Sequence, residues 1–438
     1  MRAARLAGIA AEWVGARWRW SRLRGPALER YRERRARAIV RLALERSPFY
    51  RAHWAGHDPD DWRSLPTVDK RGMMEHFGAF NTLGIPRDEA METALRAERT
   101  RDFTPTVRGV TVGLSSGTSG HRGLFLASPR EQAVWAGTIL ARALHGGFRR
   151  EGWRVALFLR SNSNLYESTD GTLIRFRWFD LMTPPTEAVA ALNAYRPHLL
   201  LGPPSLLGLL ADARERGELR FAPERLVSVA EVLEPQDRER LEAVFGAPVH
   251  QVYQCTEGLL AVSCPAGSLH VQEDLVHLQL EPVGNGYVTP VVTDLRRVTQ
   301  PIVRYRLNDL LRMDDAPCAC GSPWRVIRSI DGRCDDLLAF EQADGGTRPF
   351  FPDTIRRMVL LADGGVEDYQ AFQDRPGHLR VHLAVSDDAP FDGVARAVRA
   401  SAESIVAGYG CRAPVVEVER GLVPVAPGAK RRRVRRLG

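Results

Sequence analysis

Short apolar segments of strand length alternate with helical segments through the middle of this chain. Because parallel strands need a long crossover connection, usually a helix, this alternation predicts βαβ units around a parallel sheet. Helical spacing of apolar residues fills 204–217 and 235–245. The apolar segments around these helices are RVALFL (154–159), PHLLLG (197–202), LVSVAE (226–231) and PVHQVYQ (248–254). The fold class that they indicate is α/β.

The apolar pattern changes from about residue 268 onward, where apolar and polar residues alternate between Gly and Pro turns. The alternating segments are LHVQEDLVHLQLEP (269–282), GYVTPVVTDL (286–295) and PIVRYRL (301–307). Such alternation is typical of antiparallel strands, so we expect a β-rich subdomain beside the parallel sheet. A Gly- and Asp-rich passage follows at 331–352. We therefore predict a large N-terminal domain over 1–334 and a small, mobile α+β C-terminal domain over 335–438.

The chain is basic, with a formal net charge of +8 over 438 residues. Much of the excess lies at the two ends, in the arginines of residues 2–37 and in KRRRVRR (430–436). A nucleic-acid-binding protein would be expected to carry a basic stripe interleaved with aromatic residues, and the centre of this sequence has no such stripe. We therefore expect no nucleic-acid partner.

The apolar runs of the sequence are all shorter than the roughly 18 residues that a membrane-spanning helix needs, so no transmembrane segment is expected. The N-terminal stretch resembles a signal peptide only at first, because Glu12 and Arg17 interrupt its apolar run. Six cysteines are too few for a disulfide scaffold in a chain of this length. We expect a cytoplasmic protein whose thiols are reduced or bound to metal.

Lysine is almost absent from this sequence. Of 61 basic residues only Lys70 and Lys430 are lysines, so the other 59 are arginines. A lysine that remains is a candidate for a role that needs a compact charge on a flexible stem. Lys70 follows LPTVD at a predicted helix N-cap, and chance would explain a lysine there. Lys430 lies among arginines, so the need for charge alone does not account for it.

A glycine-rich segment, GLSSGTSGHRG (113–123), admits two interpretations. Glycines let backbone N–H groups turn toward an anion and hydroxyls add donors, which favours a phosphate site. Gly/Ser runs are also typical of ordinary loops and linkers. The segment alone does not decide between the two.

Three further segments combine polar residues with apolar surroundings. In VYQCTEG (252–258) a strand ends at Thr256 and Glu257, a pair that suits a magnesium ion bound to phosphate, although Thr256 could equally be a helix N-cap. In VRYRLNDLLR (303–312) Asp309 is expected to end an alternating strand and could accept hydrogen bonds from a ribose diol. DGRCDDLL (331–338) marks a tight turn at the predicted domain boundary.

Taken in order, these motifs resemble the adenylate-forming superfamily of acyl-CoA and aryl-CoA ligases. The series is SSGTSGHRG, SVAEVLEP, YQCTEG, YRLND, GRCDD and a near-terminal GAK. The resemblance is strongest to the branch of phenylacetate–CoA ligase-like enzymes and coenzyme F390 synthetase-related proteins. SPFYRAHW (47–54) and LPTVDKRGMMEHFGAFNTLGI (65–85) also resemble that branch, so the similarity runs from about residue 40 to the C-terminus.

The resemblance implies an ATP site. The residues that match the loop around the β- and γ-phosphates are Ser115, Ser116, Gly117, Thr118, Ser119 and Gly120. Members of the family often carry a lysine at the end of this loop. Here His121, Arg122 and Gly123 stand there, so the basic group would have to be Arg122.

Other nucleotide contacts implied by the resemblance lie further along the chain. Ala230 and Glu231 match the segment that lines the adenine, and Tyr253 would neighbour the nucleotide and the acyl group. Thr256 would lie near phosphate, and Glu257 would bind Mg²⁺.

The resemblance also assigns residues around the domain boundary. Asp309 matches a ribose-binding carboxylate, and Arg333 an arginine that reaches the nucleotide. Asp335 matches the hinge about which the C-terminal domain rotates between two half-reactions. Lys430 matches the catalytic lysine, which would act together with Glu257 and Thr118.

The implied reaction has two steps, in which ATP activates a carboxylic acid as acyl-AMP and a thiol then displaces AMP. The thiol would belong to CoA or to the phosphopantetheine of an acyl carrier protein, and an aryl acid is favoured, with RFRWFDL (175–181) as a candidate pocket lining. An adenylyltransferase that leaves AMP on a hydroxyl substrate, as in coenzyme F390 synthetase, is the alternative. A non-catalytic basic binding protein is a third. The assembly state is left open, with a homodimer as one option.

Four residues could form a separate structural zinc site: Cys264, His270, Cys318 and Cys320. Three thiolates and an imidazole would complete a tetrahedral set, although the spacing lacks the tight pairs of a zinc finger. The alternative is three reduced cysteines and a surface histidine. Cys255 is expected to be a small buried side chain rather than a nucleophile, and Cys334 a turn residue.

Overall fold

The βαβ pattern lies within the first of two compact units in the computed structural model, which describes residues 2–115, 122–144, 149–159, 174–425 and 430–437. The first unit comprises Met1–Leu307 and Leu311–Ser329. The second comprises Asn308–Leu310 and Ile330–Gly438.

Among the described residues, the helices are α1 (Arg2–Arg22), α2 (Gly25–Arg46), α3 (Pro48–His53), α4 (Lys70–Glu75), α5 (Phe77–Phe80), α6 (Arg87–Thr100), α7 (Pro129–Ala143), α8 (Pro185–Tyr195), α9 (Pro204–Glu215), α10 (Pro235–Phe245), α11 (Pro352–Leu360) and α12 (Phe391–Gly408). Single 3-10 turns occupy Pro59–Asp61 and Cys334–Asp336.

The strands are β1 (Thr106–Val107), β2 (Val110–Leu114), β3 (Leu124–Ala127), β4 (Trp153–Leu159), β5 (Ile174–Asp180), β6 (Leu199–Gly202), β7 (Arg225–Val229), β8 (Val249–Cys255), β9 (Gly258–Ser263), β10 (Leu269–Val271), β11 (Val276–Gly284), β12 (Tyr287–Asp294), β13 (Tyr305–Arg306), β14 (Asp309–Asp314), β15 (Val326–Arg333), β16 (Leu338–Glu341), β17 (Thr347–Phe350), β18 (Val366–Gln373), β19 (His378–Val385), β20 (Val415–Arg420) and β21 (Val434–Arg436).

The largest sheet joins the two strand patterns of the sequence. Its order is β11-β12-β14-β15-β10-β9-β8-β7-β6-β4-β5, with β13 paired to β12. Strands β5, β4, β6, β7 and β8 are parallel neighbours. The pairs from β8 through β9 and β10 to β15 are antiparallel, as are β11, β13 and β14 with β12. The predicted α/β fold class is confirmed, and the antiparallel strands continue the parallel sheet itself.

Helices α8, α9 and α10 form the crossovers between the parallel strands. Each has a proline in its first turn, where a missing N–H costs nothing and the fixed φ favours helix. Their apolar faces bury Leu192, Leu207 and Leu241 against Leu200 and Leu226 of the sheet. A core of this kind stabilises through the removal of apolar area from water.

The second unit has its own sheet and core. Its sheet has the order β20-β19-β18-β21, and β16 and β17 form a separate hairpin. Helices α11 and α12 pack on this sheet through Ile355, Met358, Val398 and Ala402, all buried. This is the α+β content predicted for the C-terminal region.

The N-terminal segment that resembled a signal peptide forms helix α1, which packs on α7. Gly137 of α7 permits the contact, because a Cβ atom there would lie 2.6 Å from the carbonyl oxygen of Ile9. No helix in the part of the chain that the structure describes has the length and apolar character to cross a membrane.

A buried charge cluster holds α1 and α7 to the sheet. The fully buried carboxylate of Asp274 accepts hydrogen bonds from Arg19 Nε at 2.7 Å and from Arg142 Nη2 at 3.1 Å. Arg142 also donates to Ala16 O and to Gln272 Oε1, and its guanidinium lies 5.1 Å from the ring centre of Trp20. These ion pairs and hydrogen bonds form only while α1, α7 and the sheet are packed together.

Removing the central carboxylate should therefore be costly. We expect Asp274→Ala to lower the free energy of unfolding by about 3–5 kcal/mol, because the buried guanidinium of Arg142 loses the counter-charge of Asp274 and that of Arg19 keeps only Glu12. Urea denaturation of the variant and the wild type measures this. The control is Glu215→Ala, which removes an exposed partner of Arg240 and should leave the midpoint almost unchanged. Equal effects of the two substitutions would contradict a central role for Asp274.

Candidate active site

The glycine-rich segment connects the antiparallel strands β2 and β3. Leu114 pairs with Leu124, and the backbone N–H of Ser115 donates to Gly123 O at 2.7 Å. Ser115 Oγ accepts from Gly123 N, also at 2.7 Å. These bonds close the base of the loop. Six of the seven residues between them, Ser116, Gly117, Thr118, Ser119, Gly120 and His121, lie outside the described residues.

Arg122, the expected basic residue of this loop, pairs with a carboxylate. Its Nη1 donates to Glu98 Oε2 at 2.8 Å, and its Nη2 bonds the other carboxylate oxygen. Two parallel N–H···O bonds of this type fix both side chains. The pair attaches the base of the loop to α6, and the role of Arg122 as a phosphate ligand stays a prediction.

Thr256 and Glu257 directly follow β8, at the carboxyl end of the parallel strands. Glu257 is only 7% exposed, and Thr256 Oγ1 donates to its Oε2 at 2.9 Å. The buried phenol of Tyr305 neighbours the same carboxylate, and burial together with the charge of Glu257 raises the pKa of Tyr305. Tyr253, also buried, lies three residues earlier on β8.

Two residues that the sequence analysis missed join this turn to the loop hairpin. Arg297 donates to Thr256 O and, through Nη2, to Leu126 O of β3 at 3.2 Å. Gln300 accepts from Leu126 N at 2.9 Å and donates to Leu124 O at 3.2 Å. The glycine-rich hairpin is thus fixed beside the Thr256–Glu257 turn. Both residues follow β12 in a segment without a recognisable motif, so no sequence signal pointed to them.

Ala230 and Glu231 lie at the carboxyl end of β7, the parallel neighbour of β8. Ala230 has φ of +69°, in the left-handed region that a residue with a Cβ rarely adopts. Strain of this kind is concentrated at functional sites. Glu231 Oε2 accepts from Ser205 N at 3.2 Å, which ties this turn to the start of α9.

Within the second unit, the predicted ribose and hinge residues come together. Arg333 Nε lies 3.4 Å from Asp309 Oδ1. Asn308 Nδ2 donates to Asp335 Oδ2 at 2.5 Å, and Cys334 N donates to Asn308 O. The expectation that Asp309 ends a strand was wrong: Asp309 is the first residue of β14, because pairing with β12 is interrupted at Leu307 and Asn308 and resumes there in the same direction.

Lys430 precedes β21 in the second unit, and the arginines after it anchor this segment. Arg431 and Arg433 both pair with Asp368, the latter through Nε at 2.7 Å, and Arg432 pairs with Asp336. The arginine run therefore has a structural use that its composition did not reveal.

The predicted zinc ligands form one cluster in the first unit. The ligand atoms of Cys264, His270, Cys318 and Cys320 all lie within 4.8 Å of one another. Cys264 Sγ is 3.7 Å from Cys318 Sγ, and Cys320 Sγ is 3.4 Å from His270 Nε2. His270 Nδ1 bonds the carbonyl oxygen of Trp324 at 2.9 Å, which directs Nε2 toward the thiols.

The surroundings shift the pKa values of two thiols of this cluster in opposite directions. Burial raises the pKa of Cys264 to about 12. Although burial opposes it, hydrogen bonds from Ser268, the Cys320 backbone and His270 lower the pKa of Cys318 to about 6. Cys255 and Cys334 lie apart from the cluster and are half-buried.

The chain is similar to known CoA ligases over most of its length, although no protein-family model matches it. The phenylacetate–coenzyme A ligase of Thermus thermophilus is 25% identical over 403 residues, covering 83% of this chain and 82% of that protein. The phenylacetate–coenzyme A ligase of Escherichia coli is 25% identical over 387 residues, 80% of each chain.

Solved structures share the fold. The 2-hydroxyisobutyryl-CoA ligase in the postadenylation state with an acyl-AMP superposes with a TM-score of 0.70 at 19% identity, covering 93% of this chain and 90% of that chain. An open conformation of that ligase gives 0.61 at 19% identity, over 93% and 90% of the two chains. The resemblance inferred from the motifs is confirmed: this chain is similar to phenylacetate–CoA ligases and shares the fold of the solved 2-hydroxyisobutyryl-CoA ligase.

Asp294, at the end of β12, lies next to Gly258, the residue that follows the Thr256–Glu257 turn. A Cβ atom at Gly258 would lie 3.3 Å from its Oδ2, and its Oδ1 accepts from the backbone N–H groups of Arg296 and Arg297 at 2.8 and 3.0 Å. Burial raises the pKa of Asp294 from 3.8 to about 6.

This shift predicts a pH-dependent stability. Folded Asp294 holds its proton more tightly than the unfolded chain does, so its contribution is greatest below pH 4 and is lost as the pH rises toward 6. Asp294→Asn removes the titration and keeps an acceptor for the two N–H groups. Between pH 4 and 6.5 the wild type should lose about 2–3 kcal/mol relative to the variant. Urea unfolding across this range measures the difference, and a relative gain by the wild type would show that the pKa is lowered instead.

Proposed function

We propose that this chain is an ATP-dependent acid–CoA ligase that activates a carboxylic acid as its acyl-adenylate. The observation that carries the proposal is the Thr256–Glu257 turn at the carboxyl edge of the parallel sheet, held beside the glycine-rich hairpin by Arg297 and Gln300. Ligands of open α/β sheets bind at this edge. The similarity to phenylacetate–CoA ligases over about four fifths of both chains supports the same conclusion.

ATP would lie across this edge. The loop between Ser115 and Gly123 would surround the β- and γ-phosphates, with Thr118 among its donors, and Thr256 would contact phosphate. Ala230 and Glu231 would line the adenine next to Tyr253. Asp309 and Arg333 would hold the ribose and the nucleotide. Their mutual pairing keeps both side chains ordered before ATP arrives.

Glu257 would hold Mg²⁺. The residues present fit this ion, because a buried carboxylate and a neighbouring hydroxyl are hard oxygen donors. When bound, Mg²⁺ would supply charge neutralisation on the phosphates. The buried phenol of Tyr305 lies beside the same carboxylate.

The reaction would proceed in two displacements. A carboxylate oxygen of the acid bonds to the α-phosphorus of ATP, and the bond from that phosphorus to the bridging oxygen breaks, so pyrophosphate leaves and acyl-AMP forms. The CoA sulfur then bonds to the acyl carbon, the thiol proton is lost, and AMP leaves. Positioning and charge stabilisation by fixed groups would supply most of the acceleration.

Lys430 would deliver a compact positive charge to the carboxylate and the α-phosphate in the first step. The C-terminal domain predicted from the sequence, residues 335–438, would act as the mobile domain that brings it there, with Asp335 as the hinge. Asp335 is suited to this by its place in the short turn Cys334–Asp336 after β15.

The acid and the thiol are proposed by analogy. An aryl acid is favoured by the similarity to phenylacetate–CoA ligases, and Phe176 and Trp178 on the edge strand β5 are half-buried aromatic side chains that could line a pocket. CoA is favoured over a carrier protein on the same similarity. Release of free AMP when acid and thiol are both present would distinguish a ligase from an adenylyltransferase.

Lys430→Ala tests the first step. We expect acid-dependent ATP–pyrophosphate exchange to fall by at least about 100-fold, because a charge aimed at the transition state is lost. The matched control is Arg436→Ala, which removes an exposed cation from β21 and should leave exchange unchanged. Full exchange by the lysine variant would contradict the assignment.

We also propose that Cys264, His270, Cys318 and Cys320 bind a structural zinc ion. Ligand atoms around tetrahedral zinc with bonds of about 2.3 Å to sulfur are separated by about 3.8 Å, and the separations here, 3.7 and 3.4 Å, are close to that. A backbone N–H from Ser322 points to Cys320 Sγ at 3.4 Å, an arrangement that stabilises a thiolate.

Metal analysis tests this site. Purified protein should contain about one zinc per chain, as a closed set of four ligands predicts. Cys318→Ser should lose the metal and lower the melting temperature. Cys334→Ser, a half-buried cysteine outside the cluster, should retain the metal. Wild-type protein without zinc would refute the proposal.

A further inference from the structure

Lys70, one of the two lysines, lies against the base of the glycine-rich loop. A Cβ atom at Gly123 would stand 3.2 Å from Lys70 Cε and 3.4 Å from Ser115 Oγ. The ammonium group is one bond beyond Cε. From the sequence alone, chance explained this lysine, because about fifty residues separate it from the loop that it contacts.

The fold fixes Lys70 in this position from three sides. Asp69 caps α4 by accepting from Gly72 N at 2.8 Å. Val68 pairs with the β13 strand through Val68 N to Arg304 O at 3.1 Å and Arg306 N to Val68 O at 2.8 Å. One turn after Lys70, Met74 Sδ accepts from Leu124 N at 3.4 Å. Since residues i and i+4 share a helix face, the face that carries Lys70 is the one that packs on β3.

The same segment adjoins the proposed magnesium residue. Val68 forms a bridge with Tyr305, whose phenol neighbours Glu257. Lys70 is therefore attached to an element that contacts both the loop hairpin and the Thr256–Glu257 turn.

The geometry at the base of the loop favours Lys70 over Arg122 as the phosphate ligand. Both Nη atoms of Arg122 bond the carboxylate of Glu98 and its Nε donates to Ser115 O at 3.4 Å, so its guanidinium is directed toward α6 and the loop base. The space beside Lys70 is bounded by Gly123, Ser115 and a helix. A compact ammonium on a flexible stem fits such a space better than a planar guanidinium.

We propose that Lys70 is a substrate-binding residue for ATP, whose ammonium contacts the β- or γ-phosphate beside Ser115 and Gly123 and stabilises the departing pyrophosphate. The proposal rests on the proposed adenylation activity. It gives Arg122 a different task, which is to fasten the base of the loop to α6. It also gives a physical reason for a lysine at this position in a chain that otherwise uses arginine.

Nucleotide binding by titration calorimetry tests the proposal without catalysis. Lys70→Ala and Lys70→Gln should both weaken ATP binding by about 10- to 100-fold, because a charge-assisted hydrogen bond is lost. AMP, which lacks the β- and γ-phosphates, should bind both variants as it binds the wild type. The matched control is Arg71→Ala, which removes the next and largely exposed cation on the same helix and should leave ATP binding unchanged.

The outcomes distinguish a failure of the role proposed for Lys70 from a failure of the proposed ligase function. Weakened ATP binding with unchanged AMP binding supports Lys70 as a phosphate ligand. Unchanged ATP binding by both Lys70 variants overturns that role and leaves the ligase function standing. Equal loss of ATP and AMP binding also overturns it, since the lysine would then act through the fold. A wild-type protein that binds neither nucleotide would overturn the ligase function itself.

Discussion

Parallel hydrogen bonding among β5, β4, β6, β7 and β8 is the constraint on which the rest of the protein depends. Each parallel neighbour needs a crossover, and the crossovers α8, α9 and α10 build the core that buries one face of the sheet. Each such strand also ends at the same edge. Ala230, Glu231, Thr256 and Glu257 meet there for that reason, although up to twenty-seven residues separate them in sequence.

Carboxylates organise the many arginines of this chain. Asp274 holds two buried guanidiniums between α1, α7 and the sheet, Glu98 holds Arg122, and Asp368 holds two arginines before β21. These three carboxylates thus pair five arginines within the protein. For the two lysines we propose a different chemical use, since an ammonium can enter spaces that a bidentate guanidinium cannot.

Much of the fold followed from the sequence, and parts of the site did not. The βαβ rhythm gave the helices 204–215 and 235–245 nearly residue by residue, because Pro at their starts and apolar periodicity are local signals. Asp309 was assigned to the wrong end of a strand, since a two-residue interruption without Gly or Pro separates β13 from β14. Arg297 and Gln300 carried no motif, and Tyr305 was given no role within YRLND. The importance of all three depends on which distant residues they touch.

The sequence by itself determined the fold class and the kind of chemistry, because periodicity and ordered motifs are properties of the chain. It also singled out Lys430 and the four candidate zinc ligands, since residue type alone marks them. Only the tertiary structure decided that Arg122 pairs with Glu98, that Arg297 and Gln300 join the hairpin to the Thr256–Glu257 turn, and that Lys70 lies at the loop. These are contacts between segments far apart in sequence, and they arise from packing rather than from any local preference of the residues involved.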